Sequence, residues 1–120
     1  EEELCGKKDS LYAVAENEVG EIIGLAGIIY IAGEGEIDRV AVNPLYRARG
    51  VGSHMIDILL EDAKKRAVSD ITLEVRESNR SAIVMYKKHG FNVEGKRQGY
   101  YSETGENALI MWRREERGDE

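Results

Sequence analysis

Two arginines and two glycines, Arg47, Arg49, Gly50 and Gly52, fall within six positions of the stretch YRARGVGSHMIDILL, residues 46–60. A guanidinium is a planar fork of donors that matches phosphate oxygens. A glycine lets an anion approach the backbone with no Cβ in the way, and it accepts positive φ. Apolar periodicity begins at Val51, which puts these residues at the first turn of a helix. Amides there have no partner within the helix, and the helix dipole makes that end positive. Phosphate binding is the chemistry on offer. A plain helix start with solubilising arginines uses the same residues, and spacing alone leaves both readings open.

Two nucleotide sites are excluded. The lysine and serine or threonine that follow the second glycine of a P-loop are missing, and Met55 stands where the dinucleotide fingerprint needs its third glycine. With only Cys5, His54 and His89 as thiol or imidazole donors, no metal site is expected. His54 and His89 read as solvated or helix-capping residues.

The elements that must carry these residues follow from periodicity. LYAVAE (11–16), EIIGLAGIIYIA (21–32) and IDRVAV (37–42) read as strands separated by NEVG and GEGE, an antiparallel meander. Gly24 and Gly27 inside the long strand signal a bulge or a close backbone approach. Pro44 ends the third strand. Met55, Ile56, Leu59, Leu60 and Ala63 recur at helical spacing from Val51 to about Arg66. DITLEV (70–75) alternates as a strand again, so the helix is a crossover and the strands at 37–42 and 70–75 should run parallel. A second helix spans about Arg80 to His89, with Gly90 at the left-handed position beyond it. FNVEGKRQ and NALIMW close the chain as a hairpin across the polar loop GYYSETGE.

The 120 residues are expected to form one domain, 1–120. Apolar residues at 42% and charged residues at 33% are ordinary for a soluble globular protein. Seventeen lysines and arginines against 23 acids give a net charge of −6, which argues against non-specific nucleic-acid binding. No apolar stretch nears the roughly 20 residues a bilayer span needs, so no membrane partner is expected. A single cysteine cannot close an internal disulfide and suits a reducing compartment, and a cytoplasmic location is expected.

The run RVAVNPLYRARGVGSHMIDILLEDAKKR, residues 39–66, resembles the acetyl-CoA-binding motif of the GNAT superfamily of N-acetyltransferases. That motif is arginine or glutamine, two residues, glycine, one residue, glycine or alanine; Arg47, Gly50 and Gly52 meet it. The following run, ITLEVRESNRSAIVMYKKHGFNVEGKRQGYYSETGENALIMW, resembles the bacterial ribosomal-protein N-terminal alanine acetyltransferases and their relatives. The likeness covers about Leu11 to Trp112.

The resemblance implies an α/β fold of the GNAT type: a mixed central sheet with an antiparallel meander, a crossover helix, a splayed parallel strand pair, a second helix and a C-terminal hairpin. It implies acetyl-CoA as co-substrate, with the pyrophosphate on the backbone amides of Ala48, Arg49, Gly50, Val51, Gly52 and Ser53 beside Arg47. The backbone of Val40, Ala41 and Val42 would pair with the pantetheine arm like an added strand, and Asn79 would contact the cofactor. Ala48 stands where relatives often carry a basic residue. Family members begin with a strand and one or two helices before the meander; EEELCGKKDS reads as the tail of that region, with the first strand absent.

The chemistry implied is attack of an amine on a thioester. At pH 7, freeing an α-amine with pKa near 8 costs about 1.4 kcal/mol, and a lysine near 10.4 about 4.6 kcal/mol. The resemblance makes Glu74 the general base, through water, and Tyr86 the acid towards the departing thiolate. By pattern alone Glu74 is a solvent-facing strand residue and Tyr86 a core aromatic. Tyr100 and Tyr101, in the loop before the last strand, match positions that grip the acceptor's N-terminus. Arg76 and Arg97 read equally well as surface cations. The expected partner is a protein N-terminus, such as that of a ribosomal protein; the alternatives are a small amine (a polyamine or an aminoglycoside) or a non-catalytic coenzyme A-binding module.

Overall fold

A computed structural model describes residues 9–47, 49–101 and 103–114 in full and residues 2–7 as backbone. The chain divides into two units, Glu1–Val68 and Ser69–Glu120.

The first unit is a meander backed by one helix. Strands β1 (Glu2–Lys7), β2 (Ser10–Glu16), β3 (Ile22–Ile31) and β4 (Glu34–Val42) pair consecutively and antiparallel. The sequence pattern begins the meander at Leu11; Glu2–Lys7 adds a strand before it and forms a hairpin with β2, Lys7 facing Ser10. Its sequence has no clean alternation, so periodicity missed it. The GEGE turn is also shifted. Ala32 (φ 53) and Gly33 (φ 84) make a two-residue turn, and β4 begins at Glu34. Two left-handed residues in succession match the twist of the strands they join.

Both glycine signals in β3 have a steric cause. A Cβ on Gly24 would lie 2.8 Å from Met55 Cε and 3.2 Å from Val51 Cγ1, so the glycine admits the following helix. A Cβ on Gly27 would collide with the Tyr12 ring, and the β3–β4 register shifts between Gly27 and Ile28.

A short 3-10 turn (Pro44–Tyr46) leads from β4 towards helix α1 (Val51–Lys65). The helix buries Gly52, Met55, Ile56, Leu59 and Ala63, and packs on β2, β3 and β4. It ends in a Schellman arrangement: the Val68 amide donates to the Ala63 carbonyl at 2.9 Å and the Ala67 amide to Lys64 at 3.0 Å. The left-handed position of that motif is occupied by Ala67 (φ 61) instead of a glycine.

In the second unit, β5 (Asp70–Arg76) pairs antiparallel with β7 (Glu106–Arg114), which also pairs antiparallel with β6 (Asn92–Tyr101). Helix α2 (Arg80–Lys88) lies between β5 and β6 in sequence. Asn79 caps it by accepting from the Ala82 amide at 3.3 Å. At the other end the His89 Nδ1 donates to the Met85 carbonyl at 2.9 Å, and Gly90 takes φ 95, as expected of both residues. The interior is Ile71, Leu73, Val75, Tyr86, Phe91, Ala108 and Met111. Three ties hold the end of β5 and the turn before α2 to the start of β7. Glu77 N donates to Asn107 O, Asn107 Nδ2 donates to Glu77 Oε1, and Arg76 donates to Glu106.

The polar loop of the final hairpin is shorter than expected. Tyr100 and Tyr101 are the last two residues of β6, which corrects their placement in a loop. The ladder runs from Arg97 opposite Ala108 to Tyr101 opposite Glu106, so residues 98–100 face Asn107 alone. Gly99 (φ 61) makes this bulge, and its amide donates to Asn107 Oδ1 at 2.9 Å. A bulge re-aims side chains relative to a regular strand.

Candidate functional site

The two groups of expected site residues fall in different units. In the first, β4 is the last strand of the meander, with Val40, Ala41 and Val42 opposite Ala26, Leu25 and Gly24 of β3. Beyond it, Asn43 accepts from the Leu45 amide to start the 3-10 turn. Arg47 folds back so that its Nε donates to the Val42 carbonyl at 3.2 Å. The Arg49 guanidinium lies 5.3 Å from the centre of the Tyr46 ring. Ala48 lies outside the described residues.

Gly50 is the N-cap of α1, with φ 82 and no side-chain cap, and no acidic residue stands in the first turn. A Cβ at Gly50 would meet nothing within 4 Å. The space beside Gly50 is open, and the charges beside it are two exposed arginines. These features fit a diphosphate: the positive end of the helix dipole and the two guanidinium groups attract it, and no Cβ stands at Gly50 to keep it from the backbone. They give no anchor to a metal, and among the described residues no group of three or more His, Cys, Asp and Glu is placed to hold one.

The second unit holds the candidates for proton handling. Glu74 lies on the β5 face opposite Ile71, Leu73 and Val75, half-buried as the alternation implies. It is not left to solvent. Arg97 Nε donates to Glu74 Oε2 at 2.5 Å. The Glu74 carboxylate also pushes the pKa of the nearby Tyr100 hydroxyl up, so that hydroxyl keeps its proton. The Arg97 guanidinium in turn lies 5.6 Å from the centre of the Tyr100 ring.

The two neighbouring tyrosines have different surroundings. Their rings meet edge to face at 5.0 Å. Tyr101 lies under the Arg76 guanidinium at 3.9 Å, and Arg76 is bound to Glu106 at 3.0 Å. Tyr100 is 49% exposed. The ring able to meet an incoming molecule is Tyr100; Tyr101 is packed beneath an ion pair.

Tyr86 is 7% exposed and meets Phe91 edge to face at 5.9 Å. Burial alone pushes its pKa up to about 12. Among the described residues no buried side-chain polar atom lacks a partner, and no side-chain hydrogen bond contributes to that shift. The ring is therefore enclosed while the hydroxyl is not sealed in. Asn79, expected at the cofactor, spends its amide oxygen on the α2 cap.

Arg97 is the residue that sequence reasoning left among the surface cations. The signal that could have found it is Gly99: a glycine inside a strand pattern marks a bulge, and a bulge breaks the alternation that would otherwise put residues three apart, such as Arg97 and Tyr100, on opposite faces.

The Acetyltransferase (GNAT) family model matches residues 1–91. The ribosomal protein bS18-alanine N-acetyltransferase of Escherichia coli K12 is 35% identical over 77% of this chain and 64% of its own length. A Bacillus subtilis strain 168 protein, provisionally given the same name, is 37% identical over 92% of this chain and 72% of its own length. The chain thus spans about two thirds of the curated relatives it matches. The crystal structure of the E. coli ribosomal-protein-S18-alanine N-acetyltransferase superposes with a TM-score of 0.83 at 29% identity, covering 95% of this chain and 75% of that one.

Proposed function

The chain belongs to the GNAT family and is by class an acetyl-CoA-dependent N-acetyltransferase; from that premise we propose that it acetylates the α-amino group of a protein N-terminus, of the ribosomal-protein alanine type. The observation that carries the acceptor is the 35% and 37% identity to relatives named for that reaction. Such an acceptor is met in the cytoplasm. In this reading residues 1–120 act as one catalytic domain.

The diphosphate of acetyl-CoA rests on the amides from Ala48 to Ser53, flanked by Arg47 and Arg49, and the backbone of Val40–Val42 receives the pantetheine arm. Asn79 serves this ligand through its amide nitrogen, since its oxygen caps α2. Bound there, acetyl-CoA supplies an activated acyl thioester. Glu74 takes the proton of the acceptor amine, through water. An α-amine at pH 7 needs only about 1.4 kcal/mol of such help, which suits a carboxylate already engaged by Arg97. Tyr100 borders the acceptor, and Tyr101 supports it from beneath.

Tyr86 serves the departing sulfur. With its pKa pushed up to about 12, it holds its proton throughout the working pH range. Full transfer to a thiolate, whose acid has a pKa of about 8.5, runs uphill by on the order of 5 kcal/mol. Tyr86 therefore acts first as a hydrogen-bond donor to developing charge, and the proton crosses late. A donor aimed at charge that exists only in the transition state lowers the barrier without tightening ground-state binding.

The test is thiol release from acetyl-CoA with short peptides varied at their first residue, alongside a polyamine and an aminoglycoside. Turnover on peptides opening with alanine or serine is the expected result. Release with the small amines alone would overturn the peptide acceptor, and coenzyme A binding without release from any acceptor would leave a binding module.

A further inference from the structure

We propose that Arg97 is a positioning residue for the reaction: its guanidinium holds the Glu74 carboxylate in one orientation, and turnover depends on that hold. The inference rests on Glu74 being the base.

The geometry is specific to this part of β6. A glutamate has three rotatable bonds, and a base must sit within hydrogen-bond reach of the proton it takes. Glu74 projects from β5 with Thr72 and Arg76 as neighbours on its face and Ile110 opposite on β7. Arg76 is committed to Glu106 and to the Tyr101 ring. The group that fixes the carboxylate comes from β6: the Arg97 guanidinium. Arg97 is the last regularly paired residue before the bulge at residues 98–100, which breaks the one-to-one pairing with β7.

Stability does not account for the pair. The Arg97 side chain is 57% exposed, and exposed ion pairs contribute little to folding. What the contact supplies is orientation, by a short charge-assisted bond from a planar donor. An active base is commonly aimed by such a third group.

The test compares R97Q, R97K, E74Q and the double variant E74Q/R97Q with the wild type, using the best peptide from the panel. Assays run at pH 7 and at pH 9, where an α-amine is mostly free base and E74Q keeps a measurable rate. R97Q should lower kcat by roughly tenfold or more, with acetyl-CoA affinity and melting temperature unchanged, and R97K should recover part of the loss. In the E74Q background R97Q should cost nothing further. An unchanged kcat in R97Q, the same loss with and without Glu74, or unfolding of both R97Q and R97K would overturn the proposal. If E74Q itself keeps wild-type turnover at pH 7, the base assignment fails and this inference with it. If E74Q is impaired while R97Q is not, the inference alone fails.

Discussion

At the scale of single residues, the hydroxyl of Tyr86 and the missing side chain of Gly50 make opposite demands on a substitution. Tyr86→Phe keeps the ring against Phe91 and removes only a hydroxyl that holds no other side chain in place. We expect kcat to fall while acetyl-CoA affinity, read by calorimetry, stays nearly intact; collapse of cofactor binding would make the tyrosine structural. Because the Tyr86 pKa is raised to about 12, its ionisation leaves the rate untouched up to about pH 10. At Gly50 the left-handed φ of 82 admits asparagine and aspartate better than other residues, and the space beside it is open. Gly50→Asn should therefore fold and bind coenzyme A weakly. Gly50→Asp should fold equally well and lose binding, because it sets a carboxylate against the diphosphate. Equal affinity in the two variants would refute the assigned cradle.

At the scale of elements, both helices were read to within a residue of their ends, and the bulges and the first strand were the hardest features to read from sequence. Helix α1 was legible from Met55, Ile56, Leu59 and Ala63 because burial on one face enforces a period. The residue that stops it was not, since the left-handed position after it is taken by Ala67, which carries no glycine signal. That alanine is strained. Ala67→Gly should raise stability by about 0.5–1 kcal/mol, the relief of the Cβ clash less the extra freedom of the unfolded chain. A urea titration with unchanged slope and a higher midpoint is the expected result. Glu74 and Tyr86 were placed on their faces by the same periodicities. The grip of Arg97 on Glu74 was invisible to them, because the bulge at Gly99 resets the alternation over three residues. Strand β1 went unread for a related reason: it is recognised by its partner β2 and has no pattern of its own.

At the scale of the whole molecule, the family and the α/β architecture were legible from the arginine–glycine motif and the run around LEVRESN, and the comparisons bear both out. The second unit also carries a pH dependence that no motif announces. Glu77, Glu94 and Glu106 are each held below the ordinary carboxylate value, Glu77 first by the Asn107 amide, Glu94 by Arg114, and Glu106 by Ser78 and then Arg76. A carboxyl depressed in the folded state binds fewer protons than in the unfolded chain. Its contribution is complete above the ordinary value near 4.5 and lost as pH falls through the lower folded one. The melting temperature should hold from pH 7 to about 5 and decline towards pH 3. Glu106→Gln should make that decline shallower in a calorimetric pH series, and an identical slope would remove Glu106 from the account.

The hairpin turn between β2 and β3 has a bearing on how such chains can diverge. Asn17 accepts from the Val19 and Glu21 amides and donates both to Glu21 and to the Tyr46 hydroxyl at 3.0 Å, while Arg49 rests over that same tyrosine ring. One asparagine thus ties a surface loop to a guanidinium two positions from the start of α1. Lengthening the loop by a residue, a change most exposed turns absorb without harm, would here pull the anchor from beneath Tyr46 and be felt at the arginine.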